Sequence, residues 1–503
     1  MAITPTFADF KAGFDSGQNQ VLYTRLAADL DTPVSLMLKL AQASKDSFML
    51  ESVTGGEVRG RYSVIGMKPD LIWQCRGEKC TLNREARFDA AAFVELDGDP
   101  LAELRHLIEE SKIKMPADLP PISAGLFGYL GYDMIRLVEH LPDVNPDPLG
   151  LPDAVMMRPT VVVVLDGVKG EVTVVSPAWA NSGLSAKAAY AQAAERVMDA
   201  VRDLDRHPPS ETRDLGDVFE VAEPVSNTTK SDYFAMVAKA KEYVRAGDVF
   251  QVVPSQRWSQ DFKLPPFALF RALRRTNPSP YMFFFNFGGF QVIGASPEIL
   301  VRVVGDEVTI RPIAGTRPRG KTAAEDSDYE ADLLADPKER AEHLMLLDLG
   351  RNDVGRVAKI GTVDPNEQFI IERYSHVMHI VSNVVGRLSE DHDALSALLA
   401  GLPAGTVSGA PKIRAMQIID ELEHEKRGVY GGGVGYFSAG GDMDICIALR
   451  TAVLKDQTLY VQAGGGVVYD SQPEAEYQET INKSKALLQA AAEAGMFVKG
   501  SVQ

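Results

Sequence analysis

The last third of the chain contains a hairpin, which restricts how the neighbouring strands can be arranged. Residues 445–454 and 459–462 have the composition of strands, and only a short turn at Asp456-Gln457 separates them. A turn of this length can join only antiparallel neighbours. Helical segments separate groups of further strands, which are predicted around Ile293 and at residues 301–304, 308–312 and 434–437. This order predicts an α+β fold built on antiparallel sheets rather than a doubly wound parallel sheet.

A charged stretch with three prolines divides the chain. Residues 1–205 alternate helical patterns with short strands and are predicted to form a mixed α/β lobe. Residues 206–227 contain the prolines and are predicted to be a linker. Residues 228–495 are rich in glycine and form the second predicted lobe.

Composition limits the classes of partner and compartment. The chain has 503 residues, 45% hydrophobic and 24% charged, as in globular proteins with a sizeable core. Its formal net charge of −17 argues against nucleic-acid binding, because phosphate contacts need a clustered basic surface. The cysteines Cys75, Cys80 and Cys446 are too few for a disulfide framework and fit a reducing cytoplasm. We predict neither a signal peptide nor a segment that spans a membrane.

Two acidic helix starts lie far apart in the sequence. The first opens with the N-cap Asp336 and places Glu339 and Glu342 three residues apart on one face. The second follows a proline and carries Glu476 and Glu479 at the same spacing. If the faces met, the carboxylates would repel unless a cation lay between them, and an all-oxygen donor set suits Mg²⁺. Each pair alone is more simply a solvated acidic face that complements the helix dipole.

Alternation along residues 445–454 places Arg450 on the strand face that carries Cys446, Ala448 and Ala452. An arginine among small side chains either forms a buried ion pair or points its guanidinium at a ligand carboxylate. Alternation does not decide between these two roles.

Glycine-rich segments accompany this strand. None of them has the lysine-containing pattern of a phosphate-binding loop, and each is most simply a turn or a close strand crossing. Together they could offer backbone N–H groups to carboxylates. The segments are residues 315–320, 431–435 and 464–466.

Six short motifs occur in an order that resembles the chorismate-utilising enzymes. They are Ser296-Pro-Glu298 and residues 312–320, 342–353, 375–379, 405–412 and 476–480. The resemblance covers residues 228–490 and extends more loosely to residues 50–52 and 128–132. It implies the fold of that family, in which large antiparallel β-sheets pack as a sandwich with flanking helices.

The resemblance also implies a reaction and residues for it. Within the family the chain is most similar to the large subunits that convert chorismate and ammonia into anthranilate and pyruvate, the first committed step of tryptophan biosynthesis. The implied ligands of Mg²⁺ are Glu339, Glu342, Glu476 and Glu479. The implied catalytic residues are Glu298 as proton donor to the ring C4 hydroxyl, His376 in pyruvate elimination, Thr406 and Gln251. The implied substrate-binding residues are Gly315, Thr316, Tyr430, Arg450, Gly464, Gly465, Gly466 and Lys483.

Two of these residues carry expectations of their own. The pKa of Glu298 is expected to be raised by burial and by the acidic cluster. Without the motif, His376 would be more simply explained as a hydrogen-bonded core residue.

Two positions place the chain within the family. Members that add water to chorismate have a lysine base where this chain has Gln251, on the strand predicted at residues 249–253. Members that form aminodeoxychorismate typically have a nucleophilic lysine where this chain has Ala314. The alternatives are nevertheless an aminodeoxychorismate, isochorismate or salicylate synthase, and a catalytically dead amino-acid sensor. A metal enzyme that uses His343, His376 and His379 is a further and weaker alternative.

Partners are implied as well. No cysteine lies in a glutaminase nucleophile elbow, so the resemblance implies a separate glutamine amidotransferase subunit that supplies ammonia. A regulatory pocket for tryptophan between the two lobes is also implied, although its segments could equally be a loop and a core strand. Its residues would be Leu50, Glu51, Ser52, Pro280, Tyr281, Met282, Val434 and Tyr436.

Overall fold

The computed structural model describes residues 2–41, 44–52, 60–207, 222–374 and 377–498. In chain order, the helices are α1 Phe7–Asp15, α2 Pro33–Leu40, α3 Pro100–Glu110, α4 Ala186–Leu204, α5 Lys230–Ala246, α6 Pro266–Thr276, α7 Ala323–Ala335, α8 Pro337–Gly355, α9 Ala394–Gly401, α10 Lys412–Leu422 and α11 Pro473–Glu493. Short 3₁₀ turns lie at Pro121–Ser123, Tyr132–Leu137, Ala180–Ser182, Gly405–Val407 and Ala494–Phe497. None of the described helices is both long and apolar enough to cross a membrane.

The strands follow the same chain order. They are β1 Gln20–Ala27, β2 Ser47–Glu51, β3 Tyr62–Arg76, β4 Lys79–Asn83, β5 Val94–Leu96, β6 Gly125–Leu130, β7 Ala154–Asp166, β8 Glu171–Ala178, β9 Val225–Ser226, β10 Gln251–Val252, β11 Ser255–Asp261, β12 Tyr281–Asn286, β13 Phe290–Ser296, β14 Ile299–Val304, β15 Glu307–Ile310, β16 Ile313–Pro318, β17 Asp364–Arg373, β18 Val377–Arg387, β19 Gly409–Ala410, β20 Gly433–Ser438, β21 Met443–Ile447, β22 Thr451–Lys455 and β23 Thr458–Gly464.

Antiparallel pairing runs through the whole described fold and confirms the predicted fold class. Apart from β10 and β19, which form a two-stranded ribbon, the strands join one hydrogen-bonded network of 21 strands. The predicted hairpin is the β22–β23 pair, in which Lys455 lies opposite Thr458. Asp456 and Gln457 both have positive φ, 49° and 60°, as a tight two-residue hairpin turn requires.

The core has layers, with apolar side chains between sheet faces and helices outside. One cluster consists of strand and loop residues, including Phe127 and Phe283. The rings of Phe48 and Phe127 stack there with centroids 4.5 Å apart. A second cluster packs α2, α4, α6 and α11 against the sheet, and a third packs α3, α8 and α9 against it. Helices therefore cover the outer sheet faces and leave the strand ends free to line cavities.

Strands from the two predicted lobes pair with each other. β2 lies between β3 and β12, and β6 pairs with β20. The lobes at residues 1–205 and 228–495 thus share ladders, and their boundaries stay a prediction. Most of the predicted linker, residues 208–221, lies outside the described residues.

Two strand predictions were too long. The segment at residues 445–454 is interrupted, because β21 ends at Ile447, β22 begins at Thr451, and Arg450 between them has a φ of +47°. The physical reason is a change of neighbours, since β21 pairs with β14 and β20 whereas β22 pairs with β13 and β23. At residues 249–253 only β10 forms, because the one ladder that it makes with the described residues is the short pairing with β19.

Candidate active site and regulatory cavity

A cavity of about 230 Å³ opens where β23, the bend at Arg450 and the helices α8 and α11 meet. It gathers most of the residues that the motifs single out. Its lining includes Gln251, Glu298, Gly315, Thr316, Glu342, Thr406, Tyr430, Arg450, Gly464, Gly466, Glu479 and Lys483. His376 lies outside the described residues.

Glu298 immediately precedes β14 and projects into this cavity. Its backbone carbonyl accepts a hydrogen bond of 3.0 Å from Ile447, and its Oε2 accepts one of 3.3 Å from Thr406 Oγ1. Burial raises the pKa of Glu298 to about 7, although the charges of Arg450 and Lys483 and the bond from Thr406 lower it. The raised pKa was predicted correctly. The acidic cluster, however, is not among its causes, and burial is the one that raises it.

Two cations face the same space. Burial lowers the pKa of Arg450, Glu298 opposes that effect, and Arg450 forms no ion pair with the described residues. Lys483 Nζ lies 2.7 Å from Glu479 Oε1 and donates a 3.0 Å hydrogen bond to the Gly464 carbonyl. Burial opposes the charge of Lys483, but Glu479 more than compensates and the pKa is raised. The cavity is therefore suited to an anion.

Glycines at the end of β23 allow the backbone itself to form one wall of the cavity. A Cβ on Gly464 would lie 2.9 Å from the Pro254 carbonyl oxygen and 3.0 Å from the Tyr430 hydroxyl. A Cβ on Gly465 would lie 3.2 Å from Glu476 Oε2. Any side chain there would fill the space beside the cavity, so the residue type follows from close packing.

The two acidic helix faces come close enough for Glu479 on α11 to act on Glu342 on α8, the arrangement in which the sequence predicted repulsion unless a cation lay between them. Burial, then Glu339 and then Glu479 raise the pKa of Glu342. Burial also raises the pKa of Glu476, with a further contribution from Glu479. The effect of Glu479 on Glu342 means that carboxylates from α8 and α11 repel each other at the cavity edge.

A cation would fit this donor set by its chemistry, since carboxylate oxygens are the ligands that Mg²⁺ prefers. In the described part of the chain, however, no three His, Cys, Asp or Glu side chains converge as a metal centre. Glu339 lies 3.4 Å from Arg317, and Glu479 lies 2.7 Å from Lys483. Part of the negative charge is thus compensated by the protein's own cations.

Two further cavity residues were not among the predicted catalytic or substrate-binding residues: Gln462, and His379, which was named only in the weaker metal-enzyme alternative. His379 Nδ1 lies 2.8 Å from the Gly315 carbonyl oxygen, so this nitrogen must carry the proton. Burial lowers the pKa of His379, which favours a neutral ring with Nε2 as an acceptor. Gln462 lies two residues before Gly464 on β23, and strand alternation could have placed it on the same face.

A second cavity, of about 520 Å³, lies between strands of the two predicted lobes. Its lining includes all the residues of the predicted regulatory pocket: Leu50, Glu51, Ser52, Pro280, Tyr281, Met282, Val434 and Tyr436. Arg274 forms a bidentate ion pair with the Glu51 carboxylate, in which its Nε and Nη2 donate at 2.6 and 2.7 Å. Arg302 donates hydrogen bonds to Asp444 at 2.7 Å and to the Tyr281 hydroxyl at 3.0 Å.

The two cavities share a wall. Pro297 and Ile313 line both of them, and Ile299 lines the larger one. Glu298, between Pro297 and Ile299, lines only the smaller one. A displacement of residues 297–299 would therefore change the walls of both cavities.

The antiparallel sheets and the cavity lined by two cations are compatible with the class of protein that comparison with known families gives. A family model for chorismate binding enzymes matches residues 48–489. The chain belongs to this family of chorismate-utilising enzymes.

Relatives give a finer position within the family. Anthranilate synthase component 1 of Cereibacter sphaeroides is 76% identical over 494 residues, which cover 98% of this chain and 99% of that protein. Component 1 of Pseudomonas putida is 51% identical and covers 95% of this chain and 96% of its own length.

Solved structures agree with the fold. Anthranilate synthase component I of Streptococcus pneumoniae has a TM-score of 0.76 at 39% identity, covering 92% of this chain and 98% of that one. The menaquinone-specific isochorismate synthase of Escherichia coli has a TM-score of 0.71 at 18% identity, covering 94% and 95%. The latter shares the fold alone.

Proposed function

We propose that this chain is the chorismate-converting subunit of an anthranilate synthase, which forms anthranilate and pyruvate from chorismate and ammonia. The observation that carries the proposal is a partly buried carboxyl, Glu298, whose pKa burial raises to about 7 in the cavity that Arg450 and Lys483 also line. Chorismate brings two carboxylates to this site and a hydroxyl that must leave. Near-identical length and high identity to component 1 proteins support the same activity.

The cationic and glycine-lined walls would hold the substrate. Arg450, the Tyr430 hydroxyl and the backbone at residues 464–466 would bind the enolpyruvyl carboxylate, since a guanidinium fork and N–H groups suit a planar anion. The substrate's remaining groups would contact residues that line the opposite wall. These are Gly315, Thr316 and Thr406.

Glu339, Glu342, Glu476 and Glu479 would hold a magnesium ion at the cavity edge, some of them through water. When bound, this ion would neutralise the ring carboxylate and relieve the repulsion among the four glutamates. His376 would act in pyruvate elimination.

Glu298 would give its proton to the C4 hydroxyl, which then leaves as water while ammonia adds to the ring. Thr406 would hold the carboxyl in place through the hydrogen bond to Oε2. Neither Gln251 nor Ala314 can act as a lysine would. This favours ammonia as the nucleophile and argues against both water addition and a covalent lysine adduct.

Ammonia would come from a separate glutamine amidotransferase subunit. Cys75, Cys80 and Cys446 are all buried, and burial raises the pKa of Cys75 to about 12. A glutaminase needs an accessible thiolate, which these cysteines do not provide. Free buried thiols also favour a cytoplasmic location.

Tryptophan would bind in the larger cavity and inhibit the reaction. The cavity has room for an indole, apolar walls in Met282 and Val434, and charged groups in Arg302 and Asp444. Binding there would favour a state of the shared wall with low affinity for chorismate.

The test is an assay of the isolated chain with chorismate, an ammonium salt and Mg²⁺. We expect anthranilate, followed by its fluorescence, and pyruvate to form in equal amounts. The formation of both should stop on addition of EDTA and resume when Mg²⁺ is restored. Product mass separates anthranilate from aminodeoxychorismate, isochorismate and salicylate, any of which would contradict the proposal. Tryptophan binding with no turnover at all would favour an amino-acid sensor instead.

A further inference from the structure

A buried ion pair between Arg427 and Glu423 connects three parts of the lining of the smaller cavity. These parts are the turn at Thr406, the glycines at residues 464–466, here termed the glycine wall, and Tyr430. Arg427 follows α10 and is 3% exposed, and its Nε lies 2.9 Å from Glu423 Oε2.

The ion pair stays charged inside the fold. Burial opposes the charge of Arg427, but Glu423 more than compensates and raises the pKa of the guanidinium. Apolar side chains often replace a buried ion pair without loss of stability. What this guanidinium holds in place is therefore more informative than its contribution to stability.

The first segment that Arg427 holds is the turn that carries Thr406. Arg427 Nη1 donates a hydrogen bond of 2.6 Å to the carbonyl oxygen of Val407, the last residue of the turn Gly405–Val407. Thr406 is the adjoining residue, and its hydroxyl donates to Glu298 Oε2 at 3.3 Å. A displacement of Val407 therefore changes a hydrogen bond that is already long.

The second segment is the strand connection that pairs with the glycine wall. Arg427 Nη2 donates at 2.6 Å to the Val253 carbonyl oxygen, and Ser255 donates its N–H and its hydroxyl to Glu423 Oε1 at 2.8 and 2.7 Å. Ser255 lies opposite Gly464 in the ladder between β11 and β23. The ion pair thus fixes the backbone against which the glycine wall packs.

The same network orients a further side chain of the cavity lining. The Ser255 hydroxyl uses its only proton toward Glu423, so it accepts the 2.8 Å hydrogen bond that Gln462 Nε2 donates. Gln462 lines the cavity, and its amide is thereby fixed in one of its two orientations.

The third contact is with Tyr430. The central carbon of the Arg427 guanidinium lies 5.4 Å from the centroid of the Tyr430 ring and 4.8 Å from that of Tyr132. These are the distances of cation–π contacts, for which a planar guanidinium is well suited. Burial raises the pKa of the Tyr430 hydroxyl, and the charge of Arg427 is the largest effect that opposes this rise.

We propose that Arg427 is a positioning residue for the reaction, which holds Thr406 against Glu298 and fixes Tyr430 and the glycine wall where they would bind chorismate. The inference rests on the proposed function, because it concerns the same cavity. Arg427 acts through these groups, since it is not itself among the residues that line the cavity. One side chain reaches all three segments because the guanidinium is a planar fork with five donors, a geometry that lysine lacks.

The test is the pH dependence of kcat/KM in Arg427→Lys, measured with chorismate, ammonium and Mg²⁺. Lysine keeps the charge but cannot hold the segments together. We expect kcat/KM to fall about 10- to 100-fold, since a displacement of about 1 Å can cost a factor of about 100. The hydrogen bond from Thr406 lowers the pKa of Glu298, so its loss should also move the decrease in kcat/KM to higher pH. The charges of Arg450 and Lys483 act on Glu298 as well, and both remain in the variant.

A double variant shows whether the pH effect passes through Thr406. Thr406→Val already removes the hydrogen bond to Glu298, so the addition of Arg427→Lys should move the pH profile no further. The value of kcat/KM should still fall, because Tyr430 and the glycine wall also lose their support. A profile that moves by the sum of the two single shifts would overturn the inference.

Arg158→Lys is the matched control. Arg158 is 4% exposed, donates to both carboxylate oxygens of Asp70 at 3.0 Å and lies 4.2 Å from the ring centroid of Trp179, but it lines neither of the two cavities. Whatever its loss of stability, we expect kcat/KM and its pH profile to be unchanged. Equal changes in Arg158→Lys would overturn the inference, as would an unchanged profile in Arg427→Lys.

Two other outcomes are distinguished. If Arg427→Lys does not fold, as judged by its thermal unfolding, Glu423→Gln decides, because it removes the charge that holds the guanidinium and keeps the size of the side chain. Glu423→Gln should move the pH profile in the same direction, and an unchanged profile overturns the inference. If the wild-type chain forms no anthranilate with ammonium, the proposed function fails. If it does and Arg427→Lys behaves like Arg158→Lys, only this inference fails.

Discussion

At the scale of a single residue, two opposing effects set the pKa of Glu298. Burial favours its neutral form, whereas Arg450 and Lys483 favour its ionised form, and burial dominates. The result is a pKa of about 7, near the value that suits a general acid at neutral pH. Sequence motifs singled out this residue, but the balance that sets its pKa depends on Arg450 and Lys483, more than 150 positions away.

We predict that kcat/KM decreases above pH 7 in the wild-type chain. With a raised pKa of about 7, the Glu298 carboxyl holds its proton below that pH and loses it above, so the acid form disappears as the pH rises. Glu298→Gln should lower kcat by about 10²- to 10⁴-fold and remove this dependence. Full activity in Glu298→Gln would exclude Glu298 as the acid.

Thr406→Val offers a finer test of the same group. The Thr406 hydroxyl donates to Glu298 Oε2 and thereby lowers the pKa of Glu298. Its removal should raise that pKa and move the decrease in kcat/KM to higher pH. A pH profile that stays in place, or moves to lower pH, would contradict the assignment.

At the scale of elements, the end of β23 depends on the absence of a side chain. We predict that Gly464→Ala destabilises the fold by about 1–3 kcal/mol, because the added Cβ overpacks the wall against the Pro254 carbonyl and Tyr430. Chemical denaturation measures the change, and the KM for chorismate should rise. Gly289→Ala is the control, since its Cβ would meet no atom within 4 Å. Equal losses in both variants would contradict the prediction.

The helices α8 and α11 bring like charges together. Because burial, Glu339 and Glu479 all raise the pKa of Glu342, its ionised form is disfavoured in the fold. We predict that Glu342→Gln raises the melting temperature of the metal-free protein at neutral pH. It should also raise the Mg²⁺ concentration for half-maximal activity at least about tenfold.

A surface glutamate on α11 provides the control for that variant. Glu474 forms an exposed ion pair with Lys230, and such pairs contribute little to stability. Glu474→Gln should therefore change neither the melting temperature nor the magnesium requirement. A lower melting temperature in Glu342→Gln would show that the carboxylates do not repel one another.

At the scale of the whole molecule, Pro297 and Ile313 line both cavities and so connect them physically. We predict that tryptophan raises the KM for chorismate and that chorismate weakens tryptophan binding by the same factor, because coupling between two sites is reciprocal. Calorimetry with and without chorismate measures this factor. Unequal factors would exclude coupling between these two binding equilibria.

A substitution at Ser52 tests where tryptophan binds. Ser52→Phe should fill part of the larger cavity and abolish inhibition while turnover is retained. Ser182→Phe, in the exposed turn Ala180–Ser182, is the steric control and should leave inhibition unchanged. Unchanged tryptophan sensitivity in Ser52→Phe would place the inhibitor elsewhere.

Local sequence determined much of the fold. The turn at Asp456-Gln457, the N-cap Asp336 and the helical phase of Glu339 and Glu342 depend on neighbours within a few residues, so pattern and spacing suffice to predict them. The ordered motifs likewise identified the family without any coordinates.

Tertiary structure alone decided the features that depend on distant partners. The bend that takes Arg450 out of a regular strand arises because β21 and β22 pair with different neighbours. The direction of the Gln462 amide is set by Ser255 and Glu423, and the pKa of Glu298 by burial. Hydrogen-bond direction, strand exchange and desolvation all require residues far apart in the chain to meet, and local propensity contains no information about those meetings.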